Sequence, residues 1–219
     1  MSAQDDDRPR VVWRSLDDAF VEARRDGKPM LVMFRCVPCT DAESFYEQIV
    51  RPDEELARSL QRYVCVRVRD MRGVNLNLFQ FDYDLTFAAF LMHPDGTIYH
   101  RYSGRSPDNA ESHLNVASFV RLLDVTARQH QSRLIDPDAT APRIGLFRPE
   151  DMPAGRRYAR ERPLSCIHCH QINEFKREAA QANGTWLRDR VYMWPLPERL
   201  GLILESTTQA MRAGVTEPA

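Results

Sequence analysis

Long apolar runs are missing from this 219-residue chain; the longest are Met30 to Phe34 and Phe87 to Met92. Neither approaches the length of a membrane-spanning helix, so no span is expected. An excess of charge of one sign is missing too. With 30 Lys and Arg against 31 Asp and Glu, the formal net charge is −1, which offers no electrostatic footprint for nucleic acid. Cysteine is scarce, and five residues are too few for a scaffold held by disulfides. Their arrangement is informative all the same: two close pairs, Cys36/Cys39 and Cys166/Cys169, and a single Cys65. Close pairs point to redox or metal chemistry. No proline occurs between Pro52 and Pro94, an absence that matters below.

Hydrophobic patterning predicts an α/β order in the first 131 residues. Ser15-Leu-Asp-Asp18 reads as a capped helix start, Leu16, Ala19, Phe20 and Ala23 make one apolar face, and Gly27 ends it. Pro29 to Phe34 suits a buried strand. Helical stretches follow over Thr40 to Ile49 and from Pro52. The alternation of Val64, Val66 and Val68 predicts a strand in which Cys65 is a half-buried, inert thiol. Phe87 to Met92 and Thr97 to Tyr102 flank the turn His93-Pro-Asp-Gly96, and Asn109 to Gln131 reads as a long helix. From Ser132 to Pro163 five prolines and seven arginines predict an extended basic connector with little regular structure. Cys166 to Ala182 again looks helical and stops at Asn183-Gly184.

Cys36-Val-Pro-Cys39 falls at a strand-to-helix junction. There the helix N-terminus stabilises a thiolate on Cys36, the attacking residue, and leaves Cys39 to resolve. With the strand Pro29 to Phe34 and the hairpin around Asp95-Gly96, this segment resembles a thioredoxin-like domain over residues 13–131. The stretch Leu78-Phe-Gln-Phe-Asp-Tyr-Asp-Leu-Thr86 is similar to a subgroup of exported bacterial thioredoxin-like proteins. The resemblance implies a three-layer α/β sandwich with catalytic Cys36 and Cys39. That family normally carries a cis-proline at the position that here falls near Phe87. Without a proline the peptide is expected to be trans, because a cis bond costs ~2.5–4 kcal/mol at other residues. The wall facing Cys36 is then altered. A structural disulfide, or an inactive scaffold with reduced thiols, is the other reading of the pair.

Cys166-Ile-His-Cys169-His170 has the form of a c-type haem attachment motif, with two thioether-forming thiols and an axial histidine next to the second. The resemblance implies one covalent haem c per chain, held by Cys166, Cys169 and His170. Met193, between aromatic residues, is the first choice for the second axial ligand; Met152, Met211, His93, His100, His113 and a five-coordinate iron are alternatives. Two other readings are a zinc site built from both cysteine pairs, which 126 intervening residues make remote, and a second redox disulfide. The connector arginines could pair with haem propionates. Pro197 to Glu205 weakly resembles the opening strand of a PDZ-like module.

The expected organisation is a disordered N-terminus (1–12), the thioredoxin-like domain (13–131), the connector (132–163) and a short, mostly helical or irregular haem-binding extension (164–219). The expected protein is an exported redox protein that joins thiol chemistry to haem electron transfer. Its partner would be a redox protein, a small thiol or an electron carrier. A non-catalytic cytochrome-like carrier, with the first domain as a docking module, is the alternative. The polar start Met-Ser-Ala-Gln-Asp-Asp-Asp is no signal peptide, so a periplasmic or other extracytoplasmic home implies a leader already removed.

Overall fold

The computed structural model describes residues 11–35, 42–104, 109, 111–132 and 145–187, with the backbone of two short strands at 202–203 and 214–215. Cys36, Cys39 and Met193 lie outside the described residues.

The main sheet has the order β1-β3-β2-β4-β5, where β1 is Trp13–Arg14, β2 Met30–Arg35, β3 Val64–Val68, β4 Phe87–Met92 and β5 Ile98–Tyr102. β1, β3 and β2 run parallel; β4 is antiparallel to β2, and β5 to β4. Every residue of β2 and β4 is buried, which explains why both read as continuous apolar runs instead of alternating ones.

Side-chain alternation sends successive residues to opposite faces. Met30, Val32, Phe34, Val64, Val66 and Phe90 belong to one apolar cluster; Leu31, Met33, Cys65, Phe87 and Leu91 belong to the other. The second face is covered by α2 (Glu43–Val50), α3 (Glu54–Leu60) and α4 (Val116–Ser132) through Phe45, Ile49, Leu60 and Phe119. The first is covered partly by α1 (Leu16–Asp26) through Ala19 and Ala23. The rest of its cover comes from far along the chain: Met152, Ala154, Ile167, Ile172 and Phe175 join the cluster of Phe34, Phe79 and Phe90. Helices thus lie on both faces of one mixed sheet, the expected α/β layering.

Local signals account for the helix ends. Ser15 Oγ accepts from the Asp18 N–H at 3.2 Å, and Gly27 takes the left-handed conformation (φ 61°) that closes α1. α4 begins at Val116, where its apolar spacing begins, and not at Asn109. Asn115 caps it through the Ser118 N–H at 3.0 Å, while Glu111 is drawn to α2.

The connector differs from expectation between 145 and 163. Pro149–Asp151 is a 3₁₀ turn and Pro153–Glu161 is a helix, α5. Proline at the first helical position costs nothing there, since its missing N–H has no partner inside the helix. Gly155 lets α5 pass close to the preceding turn: a Cβ at this position would sit 2.0 Å from the Pro149 carbonyl oxygen. Near the C-terminus, Leu202–Ile203 pairs antiparallel with Gly214–Val215.

Candidate functional site

The first cysteine pair is bracketed on both sides. β2 ends at Arg35, and α2 starts at Glu43 after Ala42 in a left-handed conformation (φ 60°). Arg35 pairs with Phe87 across the sheet and is 5% exposed, its guanidinium 5.4 Å from the Tyr46 ring centre. The Tyr46 hydroxyl accepts from Arg67 Nη1 at 3.1 Å, so cationic and aromatic groups line the edge that the Cys36 stretch leaves from. At the start of α2 the Glu111 carboxylate accepts from the N–H groups of Ser44 (2.9 Å) and Phe45 (3.3 Å). A carboxylate is the favoured charge at that end of a helix.

All described peptide bonds are trans, including the one preceding Phe87. The Phe87 ring is buried and packs edge-on against Phe45 at 5.2 Å, in the core beneath α2.

The second pair is described in full. The predicted helix over Cys166 to Ala182 begins only at Cys169, as α6 (Cys169–Ala182). The reason is that the backbone of Ile167 is engaged elsewhere. Its N–H donates to Asp70 Oδ1 at 2.9 Å, and its carbonyl accepts from the Met71 N–H at 2.9 Å. The Arg72 guanidinium donates to the carbonyls of Arg162 and Ser165, Tyr158 Oη donates to the Cys166 carbonyl at 3.3 Å, and Gln171 Oε1 accepts from the His168 N–H at 2.8 Å. The turn is therefore held from five directions. Ile167 is fully buried, Cys169 is 6% exposed within the same apolar cluster, and Cys166 and His170 face solvent.

Sequence separation hides how the two pairs relate to the sheet. Phe34 pairs with Val68, and Asp70 and Met71 lie two and three positions after Val68. The turn carrying Cys166 is thus docked at the end of the sheet where β2 stops at Arg35. Aromatic rings link the two regions: Phe34 to Phe81 at 5.1 Å, and Phe81 to Tyr83 at 4.6 Å. Lys176 Nζ lies 4.5 Å from the Tyr83 ring centre. Leu78 to Thr86 is marked in the sequence only by its family resemblance. Its role in joining the C-terminal turn to β2 had no signal in local patterning.

Burial sets the titration of the surrounding groups. The Cys65 thiol is pushed up to about 12 by desolvation, which makes it inert at neutral pH. Tyr83 is raised by desolvation and then by the proximity of Cys169. Lys176 is lowered by desolvation, and His168 is lowered by desolvation and by repulsion from His170, whose ring stacks 5.8 Å away.

Among the alternative ligand residues, His93 faces Asp95 Oδ1 at 3.0 Å and His100 faces Gln129 at 2.8 Å. His93 lies just beyond Met92, which pairs with Met30, so its turn sits at the opposite end of the sheet from Arg35. Met152 is buried in the core. Among the described residues, no three His, Cys, Asp or Glu side chains converge to hold a metal ion. A groove of about 440 Å³ runs beside His170, lined also by Asp84, Asn173, Lys176, Arg177 and Trp186. No described helix is long and apolar enough to cross a membrane.

Comparison with known proteins agrees with this architecture over its first part. Residues 12–94 match the sequence model of the family described as Thioredoxin-like, so the chain contains a thioredoxin-like domain there. No curated protein matches the chain. The matched span ends at the hairpin turn, well before α4, α5 and α6.

Proposed function

We propose that this redox-related domain carries out thiol–disulfide exchange through Cys36 and Cys39. The observation that carries the reading is the bracketing of the Cys36 to Cys39 stretch by a buried central strand and a following helix, within the span that matches the thioredoxin-like family. In the exchange, the Cys36 thiolate attacks one sulfur of a substrate disulfide, forming a mixed disulfide and expelling a thiolate that takes a proton from water. The Cys39 thiolate then attacks the Cys36 sulfur and releases the second substrate thiol. Two electrons pass from the dithiol to the substrate. The substrate class is a protein or small-molecule disulfide. The trans peptide before Phe87, at the position where the family carries a cis-proline, separates this site from that of a general thioredoxin reductant.

Alkylation kinetics test it. Cys65 supplies an internal reference, because its buried thiol is pushed up to about 12. At pH 7 the reduced protein should modify Cys36 much faster than Cys65. Equal rates would remove the basis for an oxidoreductase.

A covalent c-type haem is the second reading of the C-terminal turn, favoured by the exposure of Cys166 and by that of His170, which lines the groove at Trp186. Attachment needs both sulfurs at one macrocycle edge and an apolar cover. Cys169 instead lies inside the core with Ile172 and Phe175, and charged side chains line the groove. As placed, the turn does not fit the group, and no step is assigned to it. A cytochrome-like carrier role depends on that reading, whereas an extracytoplasmic location also draws on the similarity of Leu78 to Thr86 to exported thioredoxin-like proteins.

A further inference from the structure

We propose that Cys166 and Cys169 form a second thiol–disulfide couple, with exposed Cys166 as the attacking thiol and buried Cys169 as the resolving one. The geometry that disfavours a haem is what such a couple requires. A macrocycle needs two sulfurs open to the same side. An exchanging dithiol needs one sulfur that meets the substrate and one that is sheltered from it but near in the chain.

Cys166 faces solvent, and Cys169, three positions on, is 6% exposed at the first residue of α6. The backbone between them cannot drift. Fully buried Ile167 anchors it, with its N–H on Asp70 Oδ1 and its carbonyl on the Met71 N–H, both at 2.9 Å. The carbonyls on either side of the Ser165–Cys166 bond are held by Arg72 and Tyr158. The turn that carries this exposed thiol has its backbone held at several points, the preorganisation that favours attack.

The reaction partner is a low-molecular-weight disulfide, for which glutathione disulfide is the probe. The Cys166 thiolate attacks one of its sulfurs; the new Cys166–glutathione bond forms as the glutathione S–S bond breaks, and the departing thiolate is protonated by water. The Cys169 thiolate, its proton given to solvent, attacks the Cys166 sulfur. The Cys166–Cys169 bond forms and the second glutathione leaves as thiol. One disulfide has been reduced and one dithiol oxidised, with two electrons transferred.

The test uses the full chain carrying Cys36→Ser and Cys39→Ser, so that its outcome is independent of the first site. Reduced protein should alkylate at Cys166 at least about tenfold faster than at Cys169. Incubation with glutathione disulfide should leave a Cys166–Cys169 disulfide, lighter by two hydrogens, with no lasting adduct. Adding Cys169→Ser should trap one glutathione on Cys166, and adding Cys166→Ser should abolish it. Comparable alkylation rates, or a stable adduct when Cys169 is present, would overturn the proposal. So would covalent haem on Cys166 and Cys169, seen by denaturing mass spectrometry of protein matured with haem-attachment machinery. The alkylation comparison needs no substitution at either position, so it decides even where Cys169→Ser does not fold.

Discussion

Replacing Ile167 by alanine should destabilise the whole thioredoxin-like core, although Ile167 lies 73 positions beyond the end of the matched span at residue 94. Its side chain is fully buried in the cluster that includes Val32, Phe34 and Phe90 of the central strands. Removing three buried carbons at about 0.8 kcal/mol each gives about 2.4 kcal/mol of lost transfer energy. The residual cavity between the sheet and a clamped turn brings the expected loss to about 2.5–4 kcal/mol. The backbone bonds to Asp70 and Met71 survive the substitution, so packing alone is removed. With a urea m-value of about 2 kcal/mol/M, the unfolding midpoint should fall by roughly 1–2 M. Leu164 is the matched control: it is 100% exposed three positions earlier, and Leu164→Ala should stay within about 0.5 kcal/mol. The assay is equilibrium urea unfolding followed by far-UV circular dichroism, which reports the sheet and helices together. If Ile167→Ala leaves the main transition unmoved, or loosens only residues 145–187, the C-terminal segment is not part of one cooperative core and this reasoning fails.

Asp70 accepts from the backbone N–H groups of both Ile167 (2.9 Å) and Arg72 (3.0 Å), so Asp70→Ala should cost about 1–3 kcal/mol and speed amide exchange at Ile167. Asp70→Asn keeps an acceptor oxygen and should recover most of that loss; identical exchange in both variants would show that the clamp is not formed. His130 sits between Tyr99 Oη (2.8 Å) and the Gly27 carbonyl (3.1 Å), and desolvation holds its pKa below the usual 6.5. The folded state therefore binds its proton less readily than the unfolded state. Its contribution to stability is complete above 6.5 and is lost as pH falls from there toward the folded value. His168 shifts in the same direction and adds to the loss. Thermal unfolding between pH 7.5 and 5 should show a falling midpoint with a shallower slope in His130→Gln; an unchanged slope would remove His130 as a cause.

Much of the fold was legible because local physics and tertiary packing agree. The cap at Ser15, the stop at Gly27, the apolar runs of β2 and β4, and the turn at Asp95-Gly96 all read through as expected. The readings missed were those where a residue's backbone is claimed by a distant partner. α6 starts late because Asp70 and Met71 take the Ile167 backbone, and α4 starts later than Asn109 because Asn115 caps it. The arginine-rich connector holds a helix because Met152 and Ala154 find apolar partners that no local window contains. Sequence by itself determined where the candidate thiols lie: two cysteine pairs at fixed spacing, and one cysteine inside an alternating strand. Spacing cannot say which thiols reach solvent, since exposure is a property of the assembled core. Only the tertiary structure decided that Cys166 faces outward while Cys169 faces the sheet, and that their turn is docked at the edge where β2 ends. The cause is the burial of Ile167 between them, against strands more than 70 residues earlier in the chain.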